Sequence, residues 1–141
     1  MIVLDTSAII ELIRGTKQGK EIQKLILYES AATSTITRNE LFAGVQGKEK
    51  QIIQEFMKAI HLLPFDPDAA QKSILIEEAL TKKGRPIGKL DIFIAAICMI
   101  HDLPLITTDK GLKQVDGLKV ILVLRNNALC NSKILHKSSQ K

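Results

Sequence analysis

Tryptophan is absent from this 141-residue chain, tyrosine occurs once and phenylalanine four times. So few aromatic rings exclude recognition of nucleic-acid bases by extensive stacking, and they leave the core to aliphatic side chains. Only two cysteines are present, Cys98 in an apolar stretch and Cys130 in a polar one. That is neither a disulfide framework nor a zinc spacing, and both are expected as free thiols. His61, His101 and His136 are scattered without ligand spacing and read as surface or helix-end residues. No apolar run approaches the roughly 18 residues of a membrane span, and MIVLDTSAII has neither a basic n-region nor a small-residue cleavage site. The chain is therefore expected in the cytoplasm.

Acidic residues are missing from the C-terminal end. Residues 1 to 116 carry 15 Lys and Arg against 15 Asp and Glu, whereas residues 117 to 141 add Lys119, Arg125, Lys133, Lys137 and Lys141 with no acid, so the whole net charge of +5 lies there. Such a stretch attracts nucleic acid through phosphate contacts and counterion release, and it serves solubility equally well. The length fits one domain, and 45% hydrophobic residues suffice for a core.

The order of apolar segments predicts the fold class. IVLD, AATST, HLLPF, PLITT and LKVILVL are short aliphatic or β-branched runs, and the segments between them have helical spacing. Strands alternating with helices predict a parallel sheet of four or five strands with helices on both faces. The helices are expected over Ser7 to Arg14, Lys20 to Tyr28, Thr37 to Val45, Lys48 to Ile60, Pro67 to Lys83 and Lys89 to His101. Thr37 and Glu40 stand in capping-box spacing. Residues 1–125 are expected to form one α/β domain, and 126–141, polar and weakly periodic, a basic tail.

Four acids recur at strand ends and helix starts: Asp5 in IVLDTSAII, Glu40 in TRNELFAG, Asp91 in GKLDIFIAA and Asp109 in LITTDKGL. Strand C-terminal edges are where open α/β sheets bind ligands. Buried carboxylates brought together repel one another and take up protons unless a cation neutralises them, so their convergence predicts a divalent metal. Mg²⁺ or Mn²⁺ prefers oxygen ligands and, with substrate phosphate, supports in-line displacement; phosphodiester hydrolysis is the natural reaction class. Capping explains each acid separately: Asp5 and Asp109 as N-caps, Glu40 in the capping box, Asp91 as a charge on a helix N-terminus. Ser7 and Thr107 read either as hydroxyls that orient those carboxylates or as ordinary cap and strand-end donors.

VLDTSAII, TRNELFAG, LDIFIAA and LITTD, in this order and spacing, resemble the PIN-domain ribonucleases, most closely the VapC-type toxins of toxin-antitoxin modules. The likeness covers residues 1 to about 124. It implies a three-layer α/β/α fold, one or two Mg²⁺ or Mn²⁺ ions, cleavage of single-stranded RNA, a homodimer and a small inhibitory antitoxin. It maps the catalytic acids onto Asp5, Glu40, Asp91 and Asp109, with Ser7 and Thr107 as accessories. Val115 departs from a phenylalanine frequent in the family, and the segment after Asn126 runs past the family's usual end.

Glu11, where relatives often carry another acid, reads as part of a solvated helix face. Lys82, Lys83, Arg85 and Lys89 precede Asp91 with no intervening acid and form a basic lip suited to RNA phosphates. Ile53, Phe56, Met57 and Ile60, at helical spacing, are candidates for a dimer contact or for core packing. Two other enzyme classes fit poorly. A haloacid-dehalogenase-like phosphotransferase needs a second Asp where Ser7 stands, and a phospho-receiver needs a paired acid at Asp5. A non-catalytic RNA-binding or protein-interaction module with a vestigial site remains the alternative from a different class.

Overall fold

The computed structural model describes residues 1–124. Five short strands, β1 (Ile2–Leu4), β2 (Ala31–Ser34), β3 (His61–Leu63), β4 (Leu105–Thr107) and β5 (Val120–Leu122), form one sheet in the order β3-β2-β1-β4-β5. Every pairing is parallel, with Val3 opposite both Ala32 and Leu105. β1 and β4 are buried throughout, as their unbroken aliphatic sequences require of strands covered on both faces. The outer strand β3 is largely exposed.

Six helices connect the strands: α1 (Thr6–Arg14), α2 (Lys17–Ile26), α3 (Thr35–Gly44), α4 (Lys48–Lys58), α5 (Pro67–Lys83) and α6 (Lys89–Ile100). The path from β1 through β2 to β3 moves one way across the sheet, and the return to β4 moves the other way. Right-handed crossovers put such connections on opposite faces, which makes three layers, α/β/α. Helix ends follow local chemistry. Asp66 caps α5 by accepting from the Ala69 N–H at 2.8 Å, Pro67 opens it, and Gly84 closes it at φ 67°, where a side chain would be strained. The core side of α6 is Ile92, Ile94, Ala95, Ala96, Ile97 and Cys98. Burial pushes the Cys98 thiol up to about 12, which makes it an inert core residue.

Several expectations need correction. Thr37 and Glu40 do not form a capping box: α3 begins earlier, at Thr35, and its cap is Ser34, whose hydroxyl accepts from the Thr37 N–H at 3.0 Å. α2 also starts earlier, at Lys17, because Thr16 caps it. Glu11 is not on a solvated face; only 8% exposed, it accepts a hydrogen bond from the Thr16 hydroxyl at 2.5 Å where α1 turns into α2. Ile53 is 1% exposed and belongs to the core, while Phe56 and Met57 pack partly against it. A 3₁₀ helix, Lys110–Gln114, follows β4 without having been expected. Val115, the departure from the family's phenylalanine, is buried in the core. His61 and His101 are exposed, and among the described residues no helix is long and apolar enough to cross a membrane. The 126–141 segment, with Cys130 and His136, lies outside the described residues.

The α1–α2 corner depends on one glycine. A Cβ at Gly19 would lie 2.0 Å from the Glu11 carbonyl oxygen and 3.0 Å from the Leu12 Cα. Alanine at a helix position is worth up to ~1 kcal/mol over glycine, but a backbone clash this close outweighs that gain. Gly19→Ala is expected to destabilise the protein by ~1–3 kcal/mol in urea denaturation. An unchanged midpoint would show that the two helices do not approach this closely.

Candidate active site

The sheet reverses its strand order between β1 and β4, and the strand C-termini at such a switch point are where open α/β sheets bind ligands. Asp5 follows β1 directly and caps α1. One of its oxygens, Oδ1, accepts from the Ala8 N–H at 2.9 Å and from the Ser7 hydroxyl at 2.7 Å, while Oδ2 accepts from the Thr107 hydroxyl at the end of β4. Ser7 and Thr107 also receive backbone N–H groups of the following turn, from Thr108 and Asp109, each at 3.0 Å. The two hydroxyls thus fasten the end of β1 to the end of β4 through Asp5, which is only 3% exposed.

Asp109 caps the 3₁₀ helix, its Oδ1 accepting from the Gly111 N–H at 2.8 Å. Asp91 lies in the first turn of α6. Glu40 projects from the middle of α3 and accepts from the Thr6 hydroxyl at 2.6 Å. Asp5 and Asp109 therefore do serve as caps, but capping leaves their charge in place.

The electrostatics bring the four acids together. The Asp91 carboxyl is pushed up to about 6, first by burial, then by the charges of Asp109, Asp5 and Glu40 and by a hydrogen bond with Asp109. Burial also raises Asp5, against hydrogen bonds from Thr107, Ser7 and the Ala8 N–H, and Asp109 adds to the rise. Among the described residues no ion pair involves Asp5, Glu40, Asp91 or Asp109. The hydrogen bonds that hold Asp5 and Glu40 come from hydroxyls and backbone N–H groups, so the negative charge stays uncompensated. Such an oxygen-only, cation-deficient set fits a hard divalent ion. Among the described residues no three acidic, His or Cys side chains stand close enough together to hold an ion in the arrangement they have here.

The basic lip is divided. Lys83 pairs with Asp116, Arg85 donates to the Gln114 side chain at 2.8 Å, and Lys89 pairs with Glu77. Lys82 and Lys89 share a hollow with Ile74, Glu77, Glu78 and Thr81. All four basic residues are exposed. The sequence reading had missed Thr6; the Ser/Thr-rich stretch around Thr37 was visible, but not that a hydroxyl beside Asp5 would meet an acid 34 positions away.

The sequence model described as PIN domain matches residues 2–118, and the chain belongs to the PIN domain family. Relatives narrow this further. Ribonuclease VapC5 of Mycobacterium tuberculosis is 29% identical over 87% of this chain and 93% of its own length. VapC ribonuclease Y4jK of Sinorhizobium fredii is 32% identical over 86% and 96%. Within the family this protein is accordingly a nuclease of the VapC kind. The fold matches VapBC-1 from Haemophilus influenzae with a TM-score of 0.72 at 26% identity, covering 85% of this chain and 96% of that one. It matches VapBC2 from Rickettsia felis, bound to a DNA fragment from its promoter, with a TM-score of 0.74 at 23% identity over 85% and 97%.

The raised acids make stability depend on pH when no metal is bound. Asp91 holds its proton up to about 6 in the folded protein against 3.8 ordinarily, so its contribution is complete below 3.8 and is lost as pH rises through 6. Asp5 acts in the same direction. In chelator, Asp91→Asn should gain melting temperature relative to wild type as pH rises from about 4 to about 7. Parallel melting profiles would contradict the shift.

Proposed function

We propose that this protein is a Mg²⁺- or Mn²⁺-dependent endoribonuclease and the toxin of a toxin-antitoxin pair. The observation that carries the reading is the set of four carboxylates at the switch point with no cation paired to any of them. Asp5, Glu40, Asp91 and Asp109 would hold the ion, which, when bound, activates water and stabilises the leaving oxygen of a phosphodiester. Ser7 and Thr107 fix the Asp5 carboxylate, and the caps of α1 and the 3₁₀ helix set the backbone on either side of it. Asp91 completes the set from α6. The nuclease domain is taken as residues 1–125, with 126–141 as a basic extension that adds attraction to phosphate.

RNA would be held electrostatically rather than by stacking, given one tyrosine and four phenylalanines. The lip residues Lys82, Lys83, Arg85 and Lys89 are the candidates. Their present partners do not prevent this, because exposed pairs of this kind are worth only ~0–1 kcal/mol and yield to a phosphate. An antitoxin partner is supported by relatives determined as VapBC assemblies. A homodimer belongs to the same reading. With Ile53 in the core, exposed Ile74 and Leu75 on α5 and Leu90 on α6 are candidates for it, alongside Ile52 on α4 and Leu27 and Tyr28 after α2.

Asp5→Asn, Glu40→Gln, Asp91→Asn and Asp109→Asn keep side-chain volume and remove charge. Each is expected to lower Mn²⁺-dependent RNA cleavage by roughly a hundredfold or more, with the fold retained by circular dichroism. Wild-type rates in any two would sink the assignment, and the protein would then be a binding module with a vestigial site. Arg85→Ala combined with Lys89→Ala should weaken RNA binding and flatten its salt dependence; an unchanged salt slope would remove the lip from the interface.

A further inference from the structure

We propose that Thr6 is a positioning residue that holds the Glu40 carboxylate in the acid cluster. The inference rests on the reading of Glu40 as a ligand of the divalent ion. Glu40 stands mid-helix on α3, and its neighbour on α1 is the first residue after Asp5. The Thr6 hydroxyl donates to Glu40 Oε1 at 2.6 Å, a short charge-assisted bond. Oε1 is thereby occupied and Oε2 remains for an ion.

The rest of the environment supports this direction. Thr37 Oγ1 lies 3.4 Å from Thr6 Oγ1 and receives the Ser34 hydroxyl at 3.3 Å, and Ser34 itself caps α3. Thr6 has a single hydroxyl proton, and of its two neighbours the charged carboxylate at the shorter distance takes it. Ser34, Thr37 and Thr6 thus bring the start of α3 against the start of α1 beside Glu40. Thr6 is β-branched and therefore stiff, so it offers the hydroxyl in a fixed place. Glutamate has three side-chain torsions and lacks that constraint alone. The same logic operates at Asp5, where Ser7 and Thr107 are the hydroxyl donors. In both places a neutral donor holds a carboxylate without adding a positive charge that would compete with the ion.

The test uses Thr6→Val, which keeps the branched shape and removes the hydroxyl, and Thr6→Ser, which restores it. Mn²⁺ affinity is measured by calorimetry without RNA, and single-turnover cleavage is followed against Mn²⁺ concentration. Thr6→Val should bind Mn²⁺ about 10- to 100-fold more weakly and should regain much of its cleavage rate at high Mn²⁺, while Thr6→Ser stays within about threefold of wild type. In a Glu40→Gln background, Thr6→Val should add nothing further, because its effect runs through Glu40. Thr6→Ala replaces Thr6→Val should the latter fail to fold. Wild-type Mn²⁺ affinity in Thr6→Val or Thr6→Ala, with Glu40→Gln impaired, would overturn the proposal and leave the site reading intact. An additive loss in the Glu40→Gln background would also overturn it. Wild-type Mn²⁺ affinity and cleavage in Glu40→Gln would overturn both.

Discussion

Asp5 is the pin of this molecule. A carboxylate buried between two diverging parallel strands is tolerable only if its oxygens are satisfied, and both are, by Ser7, the Ala8 N–H and Thr107. Because these donors come from α1 and from β4, the bond set also closes the sheet at the place where its strand order reverses. The other acids arrive at the same switch point, Asp109 two residues after Thr107 and Asp91 at the start of α6. Remove the carboxylate, and a buried hydroxyl, a half-buried one and a capping N–H lose their acceptor together.

The polar groups divide into two sets. Hydroxyls and helix N-termini position carboxylates, while basic residues such as Lys83 and Lys89 pair with other acids, Asp116 and Glu77. A lysine among the four acids would relieve their repulsion and lower the Asp91 carboxyl, and it would also remove the reason for a divalent ion to bind. The raised Asp91 carboxyl is therefore the expression of a charge deficit built into the fold.

The strands were legible because a parallel sheet favours short aliphatic or β-branched runs bounded by polar or turn residues, most plainly in the fully covered β1 and β4. Helix α5 could be read to the residue, since Asp66-Pro67 and Gly84 are unambiguous signals. Starts marked only by hydroxyls were less secure: Thr16 and Ser34 cap earlier turns than the amphipathic pattern indicated, and Thr37 lost its capping box to Ser34. Glu11 was misjudged, and Ile53 left open between core and interface, for one reason, that helical periodicity shows a face but not what packs on it. The glycine contact at Gly19 turns α2 against α1 and buries Glu11, and no pattern within α1 announces that. The acids were visible as residues at strand ends and helix starts, whereas the Thr6–Glu40 bond depends on α1 and α3 lying side by side, a tertiary fact.

The proposed chemistry requires a divalent ion at the switch point. Crystals soaked in Mn²⁺ and measured at the manganese absorption edge would locate it by anomalous scattering. The ion is expected at the β1–β4 switch point, bonded to carboxylate oxygens from Asp5, Glu40, Asp91 and Asp109 or a subset of them at roughly 2.0–2.2 Å, and absent in Asp91→Asn. A manganese peak elsewhere on the protein, or no peak at all from crystals of a protein that cleaves RNA equally in chelator, would contradict the central claim.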